Sequence, residues 1–175
     1  MSAEARNLLI CLDGSDVYTK LALQCAPVIA GVKISNLLVA EQSCVPQLIR
    51  YFAGTGIELY VFCVIKGTAY MILYRRRRLG RCLRAAGTAA MMRRFGYGHL
   101  SVSGVLRTLG RRYALYHRGL RPFPHEMGLV LGYPPRDVEG FIFEAGGEML
   151  KEADIFVFQL VSFDGPGVYT PWKGK

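Results

Sequence analysis

His125 and Glu126 stand side by side in Phe123-Pro124-His125-Glu126-Met127-Gly128-Leu129-Val130, where an imidazole and a carboxylate open an apolar, helix-like run. A histidine at a helix N-terminus meets positive potential that disfavours its protonation, which leaves a neutral ring able to act as a base or to hold a metal. Zinc-protease chemistry on such a helix needs a second histidine four residues after the first. That place holds Leu129, so the class is excluded. The competing structural reading has Glu126 complement the helix dipole while His125 satisfies loop backbone. Cys25 lies two residues before Pro27 in a helix-like run, and a proline inside a helix frees nearby carbonyls. If His125 approaches it in the fold, the thiol is a candidate nucleophile or soft metal ligand. The competing reading is a buried cysteine that behaves as a small hydrophobe. Cys25, His125 and Glu126 are therefore the candidates for a catalytic or ligand site, and Cys25 with His125 for a metal site; no cofactor is specified.

A second constellation is electrostatic. Between Glu58 and Glu126 no acidic residue occurs, while Lys66 and thirteen arginines do, so this segment carries +14 and the remainder −5 of the net +9. Its centre is Arg75, Arg76, Arg77 and Arg78, followed by Arg81 and Arg84. These six are the candidates for contact with phosphate, on nucleic acid or on a phosphorylated ligand. Tyr70, Tyr74, Phe95 and Tyr97 lie near in sequence, although strand and helix-end packing explains them more cheaply than base stacking. The competing reading is a solvated, arginine-rich face.

Two weaker patterns can be weighed quickly. Gly128, Gly132 and Val138 have the spacing of a helix-turn-helix, but the second helix carries Asp137, Glu139 and Glu144 against Arg136 alone, which phosphates would repel. The segment reads as a packing motif. Leu12-Asp13-Gly14-Ser15-Asp16 holds two carboxylates but no further acidic partners, so it reads as a turn or helix cap rather than a metal loop.

The elements that must position these groups follow from periodicity. Lys20 to Val32 reads as a helix ended by Gly31, Asn36 to Ala40 as a short buried strand, and Pro46 to Ala53 as a short helix. Ile57 to Ile65 and Thr68 to Tyr74 are β-rich runs joined at Lys66-Gly67, a two-residue hairpin connection. Leu79 to Phe95 reads as one helix with the stripe Leu79, Cys82, Leu83, Ala86 and Ala90, and Ser101 to Tyr116 as another, capped by Ser101 or Ser103. Pro135 to Ala145 is a helix with proline in its first turn, and Ile155 to Phe163 reads as a last buried strand. The expected architecture is α+β: a single domain over residues 1–175, with a small mixed sheet of three or four strands that contains an antiparallel hairpin, packed by about four to six helices.

The 175-residue length suffices for one core without metal or disulfide. Five cysteines, an odd number with no Cys-x-x-Cys pair, favour a reducing, cytoplasmic setting. No apolar stretch reaches the roughly 20 residues of a membrane span, and the N-terminus is unlike a secretory signal, so neither membrane insertion nor export is expected.

Several segments together resemble one family. They are Leu23-x-Cys25-Ala26-Pro27-x-x-Ala30-Gly31-x-Lys33-x-x-Asn36-Leu37, Leu73-Tyr74-Arg75, Phe95-Gly96-Tyr97, Phe123-Pro124-His125-Glu126-x-Gly128, and Leu131-Gly132-Tyr133-Pro134-x-x-Asp137-Val138-x-Gly140-Phe141-Ile142. This resembles the bacterial domain-of-unknown-function family 3793 over about residues 20–145. The resemblance implies a bacterial cytosolic protein and supplies no reaction. Members continue past this helix with Gly-Tyr-Trp-Lys-Val-Tyr and a further helix, whereas residues 146–175 here run differently, as a truncated or frame-shifted end would. The leading expectation is a small binding or accessory protein with a ligand or metal site near Cys25, His125 and Glu126. The alternatives are a thiol enzyme with Cys25 as nucleophile and His125 as base, and a nucleic-acid-binding protein using Arg75 to Arg84, the less favoured partner reading.

Overall fold

The computed structural model describes residues 16–144. Their order is α1 (Val17–Ile29), β1 (Ser35–Glu41), a single 3-10 turn (Gln42–Cys44), α2 (Val45–Phe52), β2 (Glu58–Ile65), β3 (Thr68–Tyr74), α3 (Arg76–Arg84), α4 (Ala86–Arg94), α5 (Val102–His117), α6 (Met127–Val130) and α7 (Pro135–Glu144). The strands form one sheet in the order β1-β3-β2. Both pairings are antiparallel, Leu38 opposite Met71 and Val61 opposite Met71 on the two sides of β3. The α+β class holds; the sheet expected to be mixed is antiparallel throughout the described residues. The strand expected at 155–163 lies outside them.

The hairpin closes at Lys66 and Gly67, both at positive φ, 48° and 80°. Two successive left-handed residues match the right-handed twist of the flanking strands, which is why so short a turn joins them. Alternation along β3 then divides the interior in two. Ala69, Met71 and Leu73 face one cluster with Leu38, Ala40, Leu21, Cys25, Leu48 and Phe52, so α1 and α2 cover that side. Ile72 and Tyr74 face the other, with Leu83, Met92, Leu106, Leu109, Met127 and Leu129. The sheet separates the two.

The segment expected as one helix from Leu79 to Phe95 is two. Ala85 adopts an extended conformation (φ −60°, ψ 136°) and ends α3, and α4 starts beside it. At about 100° per residue, a continuous helix would place Met92 about 140° from Leu79 and about 180° from Leu83. The break resets the phase, so that Met91 and Met92 reach the core that Leu79 and Leu83 already occupy. Ala86 and Ala90, expected on the apolar stripe, are exposed instead.

Asp16 caps α1 by accepting from the Thr19 N–H at 2.9 Å, the cap reading of the acidic N-terminal segment. Ser101 caps α5 by accepting from the Gly104 N–H at 3.2 Å. The corner between α6 and α7 is a packing device, the reading that the acidic residues of its second helix favoured over a helix-turn-helix. A Cβ on Gly128 would stand 2.8 Å from Val138 Cγ2, and one on Gly132, at φ +91°, 2.8 Å from Ile34 Cγ1. No helix of the described residues is long and apolar enough to cross a membrane.

Candidate functional site

Cys25 is fully buried and its Sγ donates to the Leu37 carbonyl at 3.7 Å. The neighbouring Gln24 Oε1 accepts the Val39 N–H at 3.0 Å, and the Gln24 carbonyl accepts from Asn36 Nδ2. Residues 37 and 39 point their backbone groups the same way, away from β3, because alternate residues of a strand do so. Gln24 and Cys25 therefore satisfy the unpaired edge of β1, standing in for a strand that is not there. Burial pushes the Cys25 thiol up to about 12, so no thiolate forms at neutral pH, and a thiolate is what a nucleophile or metal ligand requires.

His125 is on the other side of the sheet. Its ring meets Phe123 and Phe141 at centroid distances of 5.7 and 6.2 Å, and Phe123 belongs to the cluster beneath α5. The approach that a shared Cys25–His125 site would need is not seen: Cys25 on α1 packs in the cluster on one face of the sheet, whereas His125 meets Phe123 of the cluster on the other. Burial holds the imidazole pKa below its usual value against the opposing pull of Glu126. Its Nδ1 is buried with no hydrogen-bond partner, so this nitrogen satisfies no loop backbone.

Glu126 does not complement a long helix either, because α6 is one turn and the side chain makes no cap bond. The carboxylate turns inward. Its Oε1 accepts from Arg112 Nη1 at 2.5 Å and from the Tyr97 hydroxyl at 3.0 Å. Arg112 also donates through Nη2 to the Phe95 carbonyl at 2.8 Å and lies 4.8 Å over the Tyr97 ring. The phenol is pushed well above its ordinary range by burial and by the neighbouring carboxylate. This network ties the α4–α5 connection to α5 and to the entry of α6, with the Tyr97 hydroxyl and both terminal nitrogens of Arg112 donating within it. Among the described residues no group of three or more His, Cys, Asp or Glu could hold a metal ion.

Other motif residues also meet one another. Lys33 Nζ donates to the Tyr133 hydroxyl at 3.3 Å and sits 5.1 Å from that ring's centroid, while Ser35 Oγ donates to the Val130 carbonyl at 2.6 Å. These bonds fasten the α1–β1 loop onto the α6–α7 corner. Burial lowers the Lys33 pKa.

The arginine run divides by role. Arg75 Nε and Nη2 donate to the Val28 and Ile29 carbonyls, each at 3.0 Å, and Arg78 Nη1 to the Gly31 carbonyl. A helix leaves its last carbonyls without internal donors; Arg75 supplies them for Val28 and Ile29 of α1, and Arg78 holds the Gly31 carbonyl just past its end. Arg76 makes a two-point contact with Glu58, Nε to Oε1 at 2.7 Å and Nη2 to Oε2 at 2.8 Å, which lowers the Glu58 pKa. That leaves Arg77, Arg81 and Arg84, exposed and spaced i, i+4, i+7 on the side of α3 opposite Leu79 and Leu83. On α5, Arg107, Arg111 and the cap residue Arg118 are exposed on the side opposite Val105, Leu106, Leu109 and Tyr113. None of these six has an ion-pair partner among the described residues. The two helices pack against each other, and Arg84 Nη1 lies 3.2 Å from where a Gly80 Cβ would stand, beside Val102 Cγ2 at 3.5 Å, so α3's stripe reaches the start of α5. The three α5 arginines escaped the sequence reading, although their i, i+4, i+11 spacing opposite an apolar stripe was there to find.

A small antiparallel sheet with helices on both faces defines an α+β protein. The chain belongs to the DUF3793 family, described as proteins of unknown function, whose model matches residues 21–155. No curated protein and no solved structure matches it.

Proposed function

We propose that this protein binds nucleic acid through the arginine stripes of α3 and α5, by contact with phosphates rather than with bases. The observation that carries this reading is the division of labour among the arginines. Arg75, Arg76, Arg78 and Arg112 are committed to carbonyls and carboxylates inside the fold, whereas Arg77, Arg81, Arg84, Arg107, Arg111 and Arg118 stand exposed in two helical rows. A stripe rising about 10 Å over seven residues, at 1.5 Å per residue, spans more than one phosphate of a nucleic-acid backbone. Acidic groups that would quench it are absent from residues 59–125 of the chain. Recognition by base stacking has less support. Tyr74 and Tyr97 are buried and Tyr70 and Phe95 half-buried, so none offers an open ring.

The test is fluorescence anisotropy of a short labelled duplex and a labelled single strand at low salt. Wild type is expected to bind more tightly there than the Kd of about 1–100 μM that backbone contact without sequence reading gives at physiological salt. Arg77→Ala/Arg81→Ala/Arg84→Ala should weaken both complexes at least tenfold while leaving thermal stability unchanged. No rise in the anisotropy of either probe with wild type would reject the reading.

A further inference from the structure

The outward side of α1 is apolar. Its exposed positions, Tyr18, Ala22, Leu23, Ala26, Ile29 and Ala30, include no polar side chain except the Tyr18 hydroxyl, which accepts from Gln47 Nε2 at 2.7 Å. At the N-terminal end α2 extends the patch: Tyr51 is 57 % exposed and meets the Tyr18 ring at 6.1 Å. At the other end Val32 is 78 % exposed. A contiguous apolar surface of this kind marks an interaction site, whereas isolated exposed hydrophobes would not.

We infer that this face joins two copies of the chain, with α1 packed antiparallel against its counterpart about a two-fold axis near Ala22 and Leu23. A two-fold interface must be complementary to itself, and this one is at both ends. Large groups gather there, Tyr18 and Tyr51 at the start of α1 and Ile29 and Val32 at and just past its end, so each end of one copy packs on the opposite end of the other. Between them Ala22 and Ala26 let the helices approach closely. Charge is complementary in the same register. Asp16 sits exposed at the N-terminus, while Arg75 and Arg78 cover carbonyls at and just past the C-terminal end of α1. Antiparallel pairing brings Asp16 of one copy level with Ile29 of the other, where Arg75 lies, and also opposes the two helix dipoles. A lipid surface would gain nothing from opposite charges at opposite ends. The face lies across the sheet from α3 and α5, so both arginine surfaces stay open in the pair, and the inference stands without the nucleic-acid reading.

Light scattering on the full chain at tens of micromolar, with and without Leu23→Glu, tests it. The expected mass is twice the chain's 19.5 kDa, falling to the single-chain mass in the variant, whose circular dichroism should match wild type because Leu23 is exposed. Oxidation of Ala22→Cys should yield a cross-linked dimer, and of Ile29→Cys none, since copies of position 29 would lie about 20 Å apart at 1.5 Å per residue. A single-chain mass for wild type overturns the inference, whether or not the protein sediments with anionic vesicles. A dimer indifferent to Leu23→Glu, or cross-linked at Ile29→Cys and not at Ala22→Cys, overturns it equally.

Discussion

Glu126 is the residue whose surroundings leave it least room for chemistry and most for stability. Its carboxylate is buried against Arg112 and Tyr97, and breaking a buried pair strands the surviving charge. Glu126→Ala should therefore cost about 3–5 kcal/mol in a denaturant titration. Less than about 1 kcal/mol would mean that water already reaches Arg112. Its neighbour His125 makes a pH prediction. The folded pKa lies below the unfolded value, so the unfolded chain binds the proton first and folding opposes protonation. Stability from this group is complete above the unfolded value of about 6.5 and declines as pH falls from there toward the folded pKa. His125→Phe should flatten that part of the stability profile. Cys25, with its thiol at about 12, should resist iodoacetamide at neutral pH in the folded protein and react only after unfolding; rapid native labelling would contradict its burial. Residue types marked Cys25, His125 and Glu126 as candidates, but whether they meet depends on which face of the sheet each one's element packs against, which no spacing between residues 25 and 125 encodes.

At the scale of elements, the hairpin, the α1–β1 unit and α5 were legible because their periods are clean and their punctuation is local: Lys66-Gly67 for the turn, Ser101 for the cap. The break at Ala85 was not. Its cause is the need of two successive stretches to reach one core, and local propensity over Leu79 to Arg94 offers only Gly80 and Gly87, which weaken a helix without fixing where it ends. The α6–α7 corner shows how a motif can encode packing. Gly132 holds a positive φ with Ile34 against its open side, so Gly132→Ala should cost about 2 kcal/mol through strain and overpacking together. An unchanged melting temperature would show that the α1–β1 loop can move aside. The capping of α1 by arginines from beyond β3 is a second case. Arg75→Ala should destabilise the fold by about 1–3 kcal/mol, the usual range for hydrogen bonds from a charged donor, without altering the exposed rows.

For the whole molecule, the separation of function follows the sheet. One face holds Cys25 and an apolar outer helix, the other holds the buried Glu126 network beneath helices whose outer sides are basic. The excess positive charge was plain in the sequence. Which arginines are free to use it required the structure, since Arg75, Arg76 and Arg78 belong to the same run as Arg77 yet are consumed by carbonyls and by Glu58. The measurement that bears most directly on this account is the salt dependence of duplex binding by wild type and by Arg77→Ala/Arg81→Ala/Arg84→Ala. If all six exposed arginines meet phosphates, log K should fall against log salt with a slope of about −5, and removing the α3 row should reduce its magnitude by about 3. A slope near zero, or one that the triple variant leaves unchanged, would contradict the claim that these rows are the working surface.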